Sequence, residues 1–109
     1  MKNKIEKPWG HEELIEHNDK YVVKKLFMKK DCRCSLQYHE IKHETIYVLS
    51  GKLRLIVEDK TLELEAGDTY VILTGETHRM EGIEDSFYIE CSTPELDDVV
   101  RVEDDYDRV

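Results

Sequence analysis

Gln37, His39, Glu44 and His78 are the side chains whose types and spacing suit chemistry at a metal ion. Gln37 and His39 lie two residues apart, so on a strand both project from one face. Glu44 re-enters after a short loop, and His78 comes from a distant strand-like segment. Two imidazoles, one carboxylate and one amide oxygen fit a borderline divalent ion and leave coordination positions open for water or substrate. An open site of this kind points to reaction chemistry more than to structural stapling.

Such residues need strands to hold them, and period-two alternation dominates the chain while helical periodicity is nearly absent. Strands are predicted over 12–16, 21–29, 34–39, 45–49, 53–57, 61–64, 69–73, 78–82 and 86–91. Many short strands at close, even spacing predict a sandwich or a barrel. Leu53, Leu55 and Val57 alternate with Lys52, Arg54, Ile56 and Glu58; after Asp59-Lys60 the pattern resumes with Leu62 and Leu64. This reads as a hairpin with one buried face. Residues 95–109 are acidic but carry Val99, Val100, Val102 and Tyr106, and are expected to form a short helical turn or an arm over the barrel. Nothing divides the 109 residues, and 39% apolar content supplies one core, so a single domain is expected.

A formal charge of -9 argues against nucleic acid or an anionic membrane as the main partner. No apolar run approaches the roughly 20 residues that span a bilayer, and the lysine-rich start lacks the apolar centre of a signal peptide. The expected setting is soluble and cytoplasmic. Cys32, Cys34 and Cys91 allow at most one disulfide, which is no secreted framework. If the strand runs unbroken to His39, Cys32 and Cys34 have the opposite parity from Gln37 and face away from the metal residues, as reduced apolar fillers. Val22, Leu26 and Met28 can line a barrel while Tyr21, Val23 and Phe27 need cover, so a homodimer is expected.

The order Gln37, His39, Glu44, Gly51, then Gly67, Gly75 and His78, resembles the paired motifs of the cupin superfamily. KPWGHEELIE, YVVKKLFMKK, SLQYH, YVLSG and DDVVRVEDDYDR together resemble the cupin domain of type II mannose-6-phosphate isomerases, over residues 7–108. In that family the domain usually follows a guanylyltransferase domain; these 109 residues hold no nucleotidyltransferase segment, so guanylyltransferase activity is not expected of them. The resemblance implies an all-β, single-domain cupin jelly-roll barrel over residues 1–109, with motifs in 31–51 and 67–82 and an acidic arm over 95–109. It implies one divalent metal ion (zinc, manganese, iron, cobalt or nickel) held by Gln37, His39, Glu44 and His78. It further implies aldose-ketose isomerisation of a small sugar phosphate, which needs an electrophile, a base and a phosphate clamp. Two other classes stay open. One is a non-catalytic sugar-binding or regulatory cupin. The other is an iron-dependent dioxygenase, since two histidines and a carboxylate also form the iron facial triad, though Gln37 as fourth donor speaks against it.

Three residues aligned with the family's loop and strands are the catalytic candidates: Lys24, Lys42 and Glu90. Lys24 shares a face with Val22, Leu26 and Met28, either employed there or at the rim with its ammonium in water. Glu90 shares a face with Tyr88 and is an acid/base or an outward charge. The type II isomerases carry arginine and histidine where this chain has Lys42 and Thr45, and Lys42 keeps the charge without the bidentate fork. Asp31 and Asp107 stand where the family has glycine, Leu73 where it has proline, and Gly82 where it has asparagine. His43 is a substrate-facing or supporting candidate. Arg79 is expected in a structural ion pair, and Arg101 in a pair with Asp97, Asp98 or Glu103 rather than at a phosphate. Trp9 is expected as a packing anchor or dimer contact.

Overall fold

The alternating segments become strands, and among residues 3–108, which the computed structural model describes, there is no helix. Val109, the end of the predicted acidic arm, lies outside those residues. The strands are β1 (Asn3–Lys7), β2 (Gly10–His17), β3 (Val22–Met28), β4 (Leu36–Tyr38), β5 (Glu44–Ser50), β6 (Lys52–Val57), β7 (Lys60–Glu65), β8 (Thr69–Ile72), β9 (His78–Gly82), β10 (Ser86–Ser92) and β11 (Val100–Glu103). They form two antiparallel sheets, one ordered β1-β2-β3-β10-β5-β8 and the other β11-β4-β9-β6-β7. This is the expected all-β jelly roll, with the two sheets not joined by hydrogen bonds into a continuous barrel.

Side-chain parity decides what faces inward. On β5, Glu44, Ile46 and Val48 are buried while Thr45 and Tyr47 are exposed; on β6, Leu53, Leu55 and Val57 are buried against their half-buried neighbours. Leu26, Met28, Ile46 and Val48 of the first sheet meet Leu53, Leu55, Val57 and Met80 of the second in one core, to which Trp9 and Tyr88 also belong. Burial of each such side chain contributes about 1.5–3 kcal/mol. Trp9 is thus a packing anchor, and Gly10 beside it is compulsory: its φ is 155° and an added Cβ would stand 1.8 Å from the Phe27 carbonyl oxygen. The predicted hairpin forms, with Val57 paired to Lys60 across Glu58 and Asp59.

Of the two forms expected of the tail, it takes the arm: β11 adds to β4, placing Arg101 opposite Gln37. One expectation changes, because the strand leading to His39 is not continuous. Arg33 makes an isolated bridge to Glu81 and β4 begins only at Leu36. The break resets parity, so Cys34 lines the same cavity as Gln37 and His39, and its Sγ accepts a hydrogen bond from the Met80 backbone N–H at 3.3 Å. Asp31 and Asp107, the two positions where glycine was expected, adopt left-handed φ values of 65° and 59°, the region that glycine occupies most cheaply and aspartate tolerates.

Candidate metal centre

His39 directly follows β4, Glu44 opens β5 and His78 opens β9, so two sheets deliver three donors to one point. All three side chains are buried. Their donor atoms lie within 4.8 Å of one another. Glu44 Oε1 is 3.3 Å from His39 Nε2 and 3.5 Å from His78 Nε2. Ligands held at about 2.0–2.2 Å around one ion are themselves about 3–3.5 Å apart, so these spacings are those of an ion's coordination shell.

Proton placement strengthens the fit. Nδ1 of His39 contacts the Asp98 carbonyl oxygen and Nδ1 of His78 the Glu76 carbonyl oxygen, the latter at 2.9 Å. A carbonyl only accepts, so each Nδ1 donates and each Nε2 is left for an ion or a proton, the usual support for a ligating imidazole. His78 Nε2 is buried with no hydrogen-bond partner among the described residues, an orphan that a cation would satisfy. Gln37 stands opposite His78 in the β4–β9 pair and lines the cavity; its Oε1 accepts from Ser35 Oγ at 2.6 Å and keeps a second lone pair. Burial by itself would raise the Glu44 carboxyl, but His39, His78 and the Lys42 charge more than offset it and hold it well below the usual carboxylate range.

Two of the three donors, His39 and Glu44, line with Gln37 a cavity of about 370 Å³, the size of a small-molecule site. Lys24, Lys42 and Glu90 all line it. On β10, Glu90 is paired with Lys24 on one side and Ile46 on the other. Burial, reinforced by Glu44, pushes the Glu90 carboxyl up to about 8, against the opposing charges of Lys24 and Lys42. Lys24 is not at a rim in water: its Nζ lies 3.3 Å from Glu12 Oε1. Burial would lower its pKa, but Glu90 and Glu12 outweigh this and keep it an ammonium.

Lys42 is buried on the 39–43 loop, and the arm holds that loop. Asp98 accepts from the backbone N–H groups of Ile41 and Lys42 at 2.8 Å and of Glu40 at 3.1 Å, while its own carbonyl orients His39. Asp98→Ala is therefore expected to weaken metal binding about 10-fold in a chelator competition titration, without removing any ligand. An unchanged affinity would dismiss this coupling of arm to metal.

Residues 1–104 match the family described as "Mannose-6-phosphate isomerase C-terminal". The chain belongs to this family. Mannose-1-phosphate guanylyltransferase 2 of Escherichia coli O157:H7 is 31% identical over 105 residues, which are 92% of this chain and 22% of that protein. The chain thus spans less than a quarter of that relative's length. Among solved structures, an RmlC-like cupin from Shewanella frigidimarina NCIMB 400 superposes with a TM-score of 0.82 at 16% identity, covering 89% of this chain and 87% of that one. Oxalate decarboxylase of Bacillus subtilis, a protein with Mn(II) centres, superposes with a TM-score of 0.81 at 20% identity over 92% of this chain and 30% of that one. At such identities these two establish the cupin fold alone.

Within the mannose-6-phosphate isomerase C-terminal family, the substitution at Thr45 falls on the outer face of β5 and cannot touch the cavity, whereas Lys42 points to it. His43 is exposed and does not line the cavity. Arg79 is structural: its Nε donates to the Cys34 carbonyl at 2.9 Å and a guanidinium nitrogen lies 3.8 Å from Asp105. Arg101 corrects the sequence expectation, since it makes no salt bridge with Asp97, Asp98 or Glu103 and lines the cavity. Register explains it, because the residue opposite Gln37 must share Gln37's face. Lys7, Glu12 and Arg108 also line the cavity and were not singled out; cross-strand register places Lys7 and Glu12 and the course of the arm beyond β11 places Arg108, neither of which the sequence displays.

Proposed function

We propose that this chain is a metal-dependent aldose-ketose isomerase of a small sugar phosphate, working as a single cupin domain. The observation that carries the reading is the joint placement of His39, Glu44, Glu90, Lys24 and Lys42 on one cavity, with His78 completing the donor cluster, in a chain of charge -9. A divalent ion held by Gln37, His39, Glu44 and His78 would supply Lewis-acid polarisation of neighbouring substrate oxygens. The protein's own groups handle the proton. Glu90, poised near neutral pH, takes the proton from the carbon beside the aldehyde and returns it to the former aldehyde carbon, while the hydroxyl proton moves between the two oxygens. Lys24, paired with Glu90 across β3 and β10, balances its charge. Lys42, close enough to influence both Glu44 and Glu90, stabilises negative charge on the enediol oxygens.

The test is conversion of mannose 6-phosphate to fructose 6-phosphate by protein loaded in turn with zinc, manganese, iron, cobalt or nickel. Turnover that chelation removes and one of these ions restores supports the reading; no turnover with any loaded ion opposes it. A non-catalytic sugar-binding cupin is the second reading, favoured by Lys42, which lacks the arginine fork; it predicts binding of the sugar phosphate without conversion. A reduced, cytoplasmic setting suits the three free cysteines.

We also infer a homodimer. The outer face of the six-stranded sheet exposes Tyr47, Leu49 and Val71, beside half-buried Val23 and Phe27, and Tyr21 is exposed just before β3. Light scattering at micromolar concentration is expected to give twice the mass of the chain, and a monomer would count against this assembly.

A further inference from the structure

We propose that Arg101 is the anion-binding end of the cavity, gripping the phosphate of a sugar phosphate whose reacting carbons lie at the metal residues. This rests on the isomerase reading above and adds the residue that recognises the charged end of the substrate. Its motive is an anomaly in pairing. Among the described residues, Arg33 binds Asp105 and Glu81, Arg54 binds Glu81, Arg79 binds the Cys34 carbonyl, and Arg108 is clamped by Asp104. Arg101 alone of the five arginines has a buried Nε with no hydrogen-bond partner there, although the chain carries 25 acidic residues.

Leaving a guanidinium N–H buried and unpaired is costly, so its persistence on a cavity wall points to a partner that arrives from the cavity. The partner that satisfies Nε and a terminal nitrogen together is a planar or tetrahedral oxyanion, bound in bidentate fashion. The other cations of the cavity do not compete equally for that role. Lys24 is engaged with Glu12 and Arg108 with Asp104, while Lys7 and Lys42 offer a charge without the bidentate fork.

Position supports the assignment. Arg101 is paired with Gln37, and Gln37 with His78, so the three occupy one row across β11, β4 and β9. Arg101 is therefore two strands from His78, about 9–10 Å at ordinary strand spacing. That span suits an open-chain sugar with its carbonyl end at the metal donors and a terminal phosphate at Arg101. Gln37 lies between them, where it can contact both the ion and the sugar. In the cavity of about 370 Å³ this arrangement takes one such molecule.

The test uses calorimetry on the metal-loaded full chain with mannose 6-phosphate and with mannose. Wild type is expected to prefer the phosphate ester. Arg101→Ala is expected to weaken mannose 6-phosphate about 10- to 100-fold while leaving mannose binding and metal content unchanged. Arg101→Lys, which keeps the charge but not the fork, is expected to fall between. Wild-type affinity for the ester in Arg101→Ala, an equal loss for ester and sugar, or no preference for the ester in wild type would each overturn the proposal. Should Arg101→Ala fail to fold, wild-type ester affinity in Arg101→Lys overturns it instead. Arg101-dependent ester binding without isomerisation would keep this subsite and remove the isomerase reading; isomerisation undiminished in Arg101→Ala would do the reverse.

Discussion

His78→Ala is expected to bind divalent ions at least about 100-fold more weakly than wild type and to purify nearly free of metal. The imidazole removed is the one whose Nε2 lies buried with no hydrogen-bond partner among the described residues, 3.5 Å from Glu44 Oε1, where an ion would satisfy both atoms. What remains is one imidazole, one carboxylate and an amide oxygen already accepting from Ser35. The amide is the weakest donor of the set. His78 is also the first residue of β9 in the middle of its sheet, so thermal unfolding of both metal-free proteins is needed alongside. Similar stability with lost metal supports the assignment. A full complement of about one ion per chain in His78→Ala, measured by plasma mass spectrometry, would refute it.

Glu90→Gln is expected to lower turnover by about 10²- to 10⁴-fold with metal content unchanged, because the amide fills the same space but cannot carry the proton. The same variant has a stability signature whose sign is fixed. The Glu90 pKa is raised in the fold, from 4.5 to about 8, so the folded chain keeps a proton that the unfolded chain releases in between. Metal-free wild type should therefore lose stability as pH rises from about 4.5 to about 8, with the full penalty above that window. Glu44 does not mask this, since its lowered pKa leaves it ionised in both states over most of the window. Glu90→Gln should flatten the slope in thermal unfolding scans. Unimpaired turnover would take the proton-transfer role away from Glu90, and an unchanged slope would take away its burial as the cause.

Much of the site was legible because strand parity is a short-range property. Gln37 and His39 share a face by spacing alone, and Leu53, Leu55 and Val57 declare an inner face that the structure keeps. Parity failed where the strand was interrupted. Cys34 was assigned outward on the assumption of an unbroken strand to His39, and the gap between the Arg33 bridge and β4 reversed it. Cross-strand partners were not legible at all. Nothing in the local sequence ties Glu12 to Lys24, Asp98 to the 40–42 backbone or Arg101 to Gln37; these follow from register, which depends on where distant strands meet. The N-terminal strand β1 and the arm strand β11 were missed for a related reason, since exposed or acidic edge segments carry little apolar alternation.

The most direct test is proton exchange at C2 of mannose 6-phosphate in deuterium oxide, followed by proton NMR with metal-reconstituted protein. Isomerisation through an enediol predicts loss of the C2 proton signal, or its transfer to C1, with fructose 6-phosphate appearing in the same tube. Protein that carries about one ion per chain and binds the sugar phosphate, yet shows neither exchange nor conversion, would contradict the isomerase and leave a binding module.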